Sequence, residues 1–181
     1  QPVAWDFIGM KSEYAKIARS AKAVCFGSLA QRNEVSRTTI KSFVSKVPDS
    51  ALKVFDVNLR QQFFSKTLIV ESLDLCNILK INDEEIKIVA SLFGLNGNDQ
   101  ENCQSLIRRF NLRLVALTCG THGSYLISPD RCSFLETPKV KVADTVGAGD
   151  SFTAAIVVGI LNGLSLIETH KLAVKISALV C

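Results

Sequence analysis

The sequence predicts an α/β fold: three layers, with a mainly parallel sheet flanked by helices, and a small antiparallel hairpin region late in the chain. Three observations predict it. Short β-rich apolar runs at 23–26, 52–57, 77–81 and 114–117 alternate with stretches of helical periodicity, the rhythm of right-handed β-α-β crossovers. Glycine-punctuated runs at 124–127, 132–135 and 139–142 lie too close together for helices between them and read as antiparallel strands. A chain of 181 residues with 48% hydrophobic content buries one core, so a single domain over 1–181 is expected.

Composition narrows the function classes. A net charge of +4, with basic residues scattered along the chain, gives no footprint for nucleic acid. The longest apolar run, about ten residues from Ala154, falls short of the roughly 18 needed for a membrane span. Cysteines at 25, 76, 103, 119, 132 and 181 form no C-x-x-C pair and no metal spacing with His122 or His170. They read as reduced, mostly buried thiols of a cytoplasmic protein. The chain opens on an alternating, extended-looking Gln1–Trp5 and closes at Cys181 inside a running helix, so it reads as part of something longer.

Taken in order, Tyr14, Ile17, Ala18 and Ala21 have helical spacing, and Ala23–Phe26 forms a buried strand ending at Gly27. Phe26-Gly27-Ser28-Leu29 is by itself a turn. A helix from Asn33 to Val47 stops at Pro48. The strand that follows runs out through Asp56-Val57-Asn58-Leu59-Arg60, where alternation predicts Asp56, Asn58 and Arg60 on one face. Three polar groups at a carboxyl edge suit a ligand, or else an Arg-Asp pair. After a helix over 66–73 and a strand over 77–81, Asn82 and Glu85 have the spacing of a capping box, which needs no ligand to explain it. A helical region broken around 94–98 resumes to Phe110, and the strand at 114–117 enters Thr118-Cys119-Gly120-Thr121-His122-Gly123. Alone, that is a hairpin turn. His122 reads as a loop residue.

The chain is organised around residues 142–152, Val-Ala-Asp-Thr-Val-Gly-Ala-Gly-Asp-Ser-Phe. An extended run, two glycines bracketing an alanine, a carboxylate and an apolar helical run make a loop feeding a helix N-terminus. The first amides of a helix lack partners and carry partial positive charge, so such an end binds anions. Gly147 and Gly149 let the backbone come close and turn. Asp150 reads either as a helix cap or as a base for a bound acceptor. The helix from Ala148 to Asn162 is apolar on nearly every side and is expected to be buried; Gly163 ends it, and Ser165 with Glu168 caps the last helix.

The string D-T-x-G-A-G-D-S-F at 144–152 resembles the C-terminal signature of the ribokinase-like (pfkB) carbohydrate kinases, and D-x-N-x-R at 56–60 resembles the fructokinase branch. The resemblance implies ATP-dependent phosphorylation of a sugar hydroxyl, most readily fructose. It gives Asp150 the role of base and makes the amides of Gly147, Ala148 and Gly149 an anion hole. N-x-x-E at 82–85 would then serve phosphate and Mg²⁺, with Asn82 beside the phosphates and Glu85 reaching the metal through water. T-x-G-x-x-G at 118–123 would place Thr118, Gly120 and Gly123 along the nucleotide, and Asn58 and Arg60 would contact phosphate or sugar. Asp144 is a candidate ligand for a monovalent cation such as K⁺. Sugar and ATP are the implied partners, and a homodimer is a candidate assembly. The rival is a non-catalytic nucleotide-binding module. There is no G-x-x-x-x-G-K-[ST] phosphate loop and no protein-kinase catalytic string.

Overall fold

The computed structural model describes residues 3–61, 63–138 and 147–180. A helix α1 (Tyr14–Ser20) leads into strand β1 (Ala23–Gly27), helix α2 (Glu34–Val44), strand β2 (Leu52–Asp56), helix α3 (Lys66–Leu75) and strand β3 (Ile78–Asn82). Helices α4 (Asp83–Phe93) and α5 (Asp99–Phe110) precede β4 (Leu114–Thr118), and β5 (Ser124–Ile127) and β6 (Cys132–Leu135) form the hairpin. Helices α6 (Ala148–Leu161) and α7 (Leu166–Val180) complete the described chain. Among the described residues the sheet has six strands in the order β1-β2-β3-β4-β5-β6; β1 to β4 are parallel, and β5 and β6 are antiparallel additions.

The period of two along each strand assigns its side chains to two helical layers. Phe26, Phe55, Leu79, Ile81, Val115, Leu117 and Ile127 pack with α3, α4 and α5 through Leu68, Ile69, Leu73, Ile86, Val89, Leu106 and Ile107. Their alternates Leu52, Val54, Ile78, Leu114, Ala116 and Leu126 pack on α6 and α7 through Phe152, Ala155, Ile156 and Ala173. The three layers are those the sequence predicts. The boundaries follow local chemistry: Asn33, Ser65 and Asn98 accept amide protons at the starts of α2, α3 and α5, and Gly94 ends α4 in a left-handed conformation at φ 68°.

Several expectations need correction. Ala4–Asp6 is a 3₁₀ turn and not an extended segment. Tertiary pairing decides this, because the Asp6 carboxylate accepts the Val3 amide at 3.1 Å and takes Arg32 at 2.7 and 2.6 Å. Helix α6 is not buried all round: Val158 is 51% and Leu161 48% exposed. Of the five described cysteines only Cys76 and Cys103 are buried; Cys25 and Cys132 are exposed and Cys119 lies between, all unpaired. The expected strand at 139–142 lies outside the described residues, as do Asp144 and Cys181. Among the described residues, no helix is long and apolar enough to cross a membrane.

Candidate active site

The site lies where the apolar layer beneath α6 gives out. Along β2 and β3 the alternation that places Val54 and Ile78 under α6 brings Asp56 and Lys80 to the same face at the carboxyl ends of their strands, paired in register. Gly27 of β1 pairs with Asp56 on one side. On the other, Asn82 pairs with Thr118 of β4. Parallel pairing alone therefore lines up Gly27, Asp56, Lys80, Asn82 and Thr118 along one edge, the usual ligand edge of an open α/β sheet.

The N-terminus of α6 comes down on this edge. Gly147 is its N-cap, at φ 85°, a left-handed conformation that glycine adopts without strain. The first helical bond runs from the Ser151 amide to the Gly147 carbonyl at 2.8 Å. Gly147 has no side chain with which to cap the helix, so the amides of the first turn keep their capacity to bind an anion. Gly149 is not in the positive-φ region, contrary to its expected turning role, because it already lies within α6. Its lack of a side chain matters for another reason: a Cβ there would sit 3.4 Å from Nζ of Lys80.

Lys80 is the residue that motif reading missed. It is only 9% exposed, and its Nζ lies 3.3 Å from Oδ1 of Asp56. The signal was present as a lysine inside the otherwise apolar run Ile78–Ile81, where a buried cation requires a partner. Thr153, one turn into α6, lies 3.2 Å from Oδ2 of Asp56 and donates to the Gly149 carbonyl at 3.0 Å. Burial pushes the Asp56 carboxyl above its ordinary range, Lys80 and Thr153 pull it down, and Asp150 adds to the upward push.

A cavity of about 580 Å³ opens beside this cluster, and Gly27, Asp56, Asn58, Asp150 and Thr153 line its polar end. The rest of its wall is apolar and comes from β1 and α6. Cys25 is exposed as a residue but lines this wall; desolvation of its thiol, with Asp56 and Asp150 nearby, pushes its pKa up to about 11. Asp150 itself is exposed at the cavity. The expected common face of Asp56, Asn58 and Arg60 is only half realised. The strand stops at Asp56 and Asn58 turns left-handed at φ 41°, so Asn58 reaches the cavity whereas Arg60 is exposed and outside its lining.

The two remaining motifs are satisfied internally. Asn82 accepts the Glu84 and Glu85 amides at 3.0 and 2.8 Å. Glu85, 6% exposed, accepts the Asn82 amide through one oxygen and the Leu59 amide through the other. In the loop after β4, the Cys119 amide donates to the Gly123 carbonyl at 2.9 Å, and Gly120 and Gly123 take φ of 54° and 124°. A Cβ on Gly123 would meet the Leu135 carbonyl at 2.5 Å, so packing demands this glycine; one on Gly120 would meet nothing within 4 Å. His122 is exposed in the turn.

A helix start without a side-chain cap among the described residues, a carboxylate in its first turn and a buried lysine beneath it form an arrangement able to receive an anionic group. The sequence matches the family described as pfkB family carbohydrate kinase over residues 4–181. The chain belongs to that family. It is 34% identical over 171 residues to a putative sugar kinase, PH1459, of Pyrococcus horikoshii, covering 90% of this chain and 51% of that protein. It is 30% identical over 162 residues to probable fructokinase-2 of Arabidopsis thaliana, covering 86% of this chain and 48% of the relative. The chain thus spans about half the length of these relatives. Crystallographic PH1459 in complex with ATP superposes with a TM-score of 0.75 at 32% identity, over 91% of this chain and 53% of that one. A fructokinase from Vibrio cholerae O395, in fructose-, ADP- and potassium-bound form, shares the fold with a TM-score of 0.78 at 22% identity, over 99% of this chain and 59% of that one.

Proposed function

We propose that this pfkB-family chain carries the nucleotide and catalytic half of an ATP-dependent sugar kinase, with fructose as the acceptor. The observation that carries the reading is the open N-terminus of α6, with Asp150 in its first turn and Lys80 below Gly149. The amides of Gly147, Ala148 and Gly149 hold the transferring phosphoryl group and Lys80 adds positive charge from beneath. Asp150 accepts the proton of the sugar hydroxyl. Thr118, Gly120 and Gly123 follow the nucleotide, while Asn58 and Arg60 approach sugar or phosphate from the end of β2. Asp144 remains the candidate for a K⁺ ion.

Magnesium fits this site in one way. Among the described residues no three His, Cys, Asp or Glu side chains cluster to hold a metal, and both oxygens of Glu85 already accept amides. What would fit is an ion held mainly by phosphate and water, with the remaining lone pairs of Glu85 accepting from its waters. Such an ion neutralises charge on the phosphates. Asn82 and Glu85 would orient its waters.

The test is ADP release by the whole protein and by residues 1–181, across a panel of sugars with and without Mg²⁺. Holding both reactants in line is worth about 7–11 kcal/mol of barrier, so a half that holds only one is expected to lose nearly all sugar-dependent turnover. The whole protein should phosphorylate fructose with strict Mg²⁺ dependence. If it binds ATP yet turns over no sugar, the non-catalytic module is the correct reading.

A further inference from the structure

The pair beneath α6 is chemically incomplete. Lys80 and Asp56 meet at 3.3 Å between Nζ and Oδ1, longer than the ~2.7–2.9 Å of a strong charge-assisted hydrogen bond. Oδ1 is buried and has no hydrogen bond among the described residues. Among the described residues Oδ2 meets only Thr153, whose hydroxyl also lies 3.0 Å from the Gly149 carbonyl. A hydroxyl has one proton to give. If Gly149 receives it, Asp56 is a buried carboxylate held in its charged form by Lys80 alone.

Among the described residues, the groups facing Asp56 are few. Cys25 approaches from β1, with its thiol kept protonated; Lys80 comes from β3, and Asp150 and Thr153 come from α6. Two carboxylates, Asp56 and Asp150, therefore line one end of one cavity, and the Lys80 cation stands against Asp56 behind that lining. That cation is also the neighbour of Gly149, so it stands between a carboxylate and the helix end where an incoming phosphate docks.

We propose that Lys80 changes partner when ATP binds, leaving Asp56 for the phosphate, and that Asp56 then takes up one proton from solvent. The proposal rests on the kinase reading above. One O–H bond forms on Asp56, a water or buffer acid gives up the proton, and no electrons are transferred. The protonated carboxyl can donate to the Thr153 oxygen while Thr153 keeps its bond to the Gly149 carbonyl, which satisfies both groups. Burial and Asp150 already favour the neutral form of Asp56, and Lys80, with a smaller contribution from the Thr153 hydroxyl, opposes them. The exchange removes the negative charge of Asp56 from beside the incoming phosphate.

Titration calorimetry of the whole protein with ATP and saturating Mg²⁺, without sugar, near pH 7.5 and in buffers of different ionisation enthalpy, counts the protons. Uptake approaching one proton per bound ATP is expected for the parent protein and none for Asp56→Asn. Lys80→Met should also show none, because Asp56 without its counter-ion is protonated before ATP arrives, and this variant decides the matter if Asp56→Asn does not fold. ATP binding by the parent without proton uptake overturns the proposal, as does uptake that persists undiminished in either variant. Absence of any ATP binding by the parent is a different result and removes the kinase reading together with the proposal.

Discussion

The carboxylate of Glu85 accepts the Leu59 amide at 2.9 Å through one oxygen and the Asn82 amide at 3.0 Å through the other. One buried side chain thereby ties the loop after β2, which carries Asn58 and Arg60, to the start of α4. Glutamine supplies one acceptor and one donor, so Glu85→Gln sets an N–H against an N–H. The expected loss is about 1–3 kcal/mol of stability, the cost of an unpaired buried amide, read from the urea midpoint. If the midpoint holds and only the Mg²⁺ dependence shifts, Glu85 serves the metal rather than the scaffold.

Asp150→Asn keeps the shape of the first turn of α6 without its proton acceptor. In the whole protein kcat should fall by roughly 10²- to 10⁴-fold, with ATP affinity within a few fold by calorimetry. Near-normal turnover would remove Asp150 from the chemistry.

Gly149→Val should damage nucleotide binding more than Asp150→Asn does. Its branched side chain grows from a point 3.4 Å from Nζ of Lys80, into the gap between the lysine and the helix end. ATP binding is expected to weaken roughly tenfold or more, about 1.4 kcal/mol. Unchanged affinity would mean that phosphate does not enter by this gap.

The two glycines after β4 should respond differently to alanine. Gly123→Ala drives a methyl to within 2.5 Å of the Leu135 carbonyl and 2.8 Å of the Phe134 ring, so the hairpin must shift. Gly120→Ala meets open space and bears only the strain of φ 54°, about 1–2 kcal/mol. Thermal melts should rank Gly123→Ala well below Gly120→Ala; equal melts would contradict the packing argument.

His170 is fully buried between hydroxyls, 2.9 Å from Ser124 Oγ and 2.8 Å from Ser133 Oγ, and burial lowers its pKa from 6.5 to about 4. The unfolded chain takes up a proton near pH 6.5 that the folded chain refuses until about pH 4. Stability is therefore full above pH 6.5, is lost as pH falls from there towards 4, and levels off below. The loss is about 1–3 kcal/mol, measurable as urea midpoints at several pH values. His170→Gln should flatten the dependence across that window, and an unchanged slope would assign it to other groups.

The alternation of Phe55 with Val54, and of Leu79 with Ile78, made the layers legible because a period of two is written directly into sequence. The helix-end loop was legible for a similar reason, since glycines beside a carboxylate at a helix start have few other uses. The Lys80–Asp56 pair was not. The two residues are 24 positions apart, and only the register of β2 against β3 brings them together. Nor was the exposed face of α6, because apolar periodicity shows what a helix is able to bury, not how much of it its neighbours cover.

The unbroken order β1 to β6 also bears on how the protein assembles. Each strand pairs with the one before it in sequence, across one or two helices or a short loop, so the sheet can be built in chain order. Helix α6 is the exception: Thr153 must return across 97 residues to meet Asp56. Loop closure over that span is worthwhile only once β2 is in place to receive it. The contact that seats the first turn of α6 is then expected among the last to form, so the carboxyl ends of β2 and β3 are covered late.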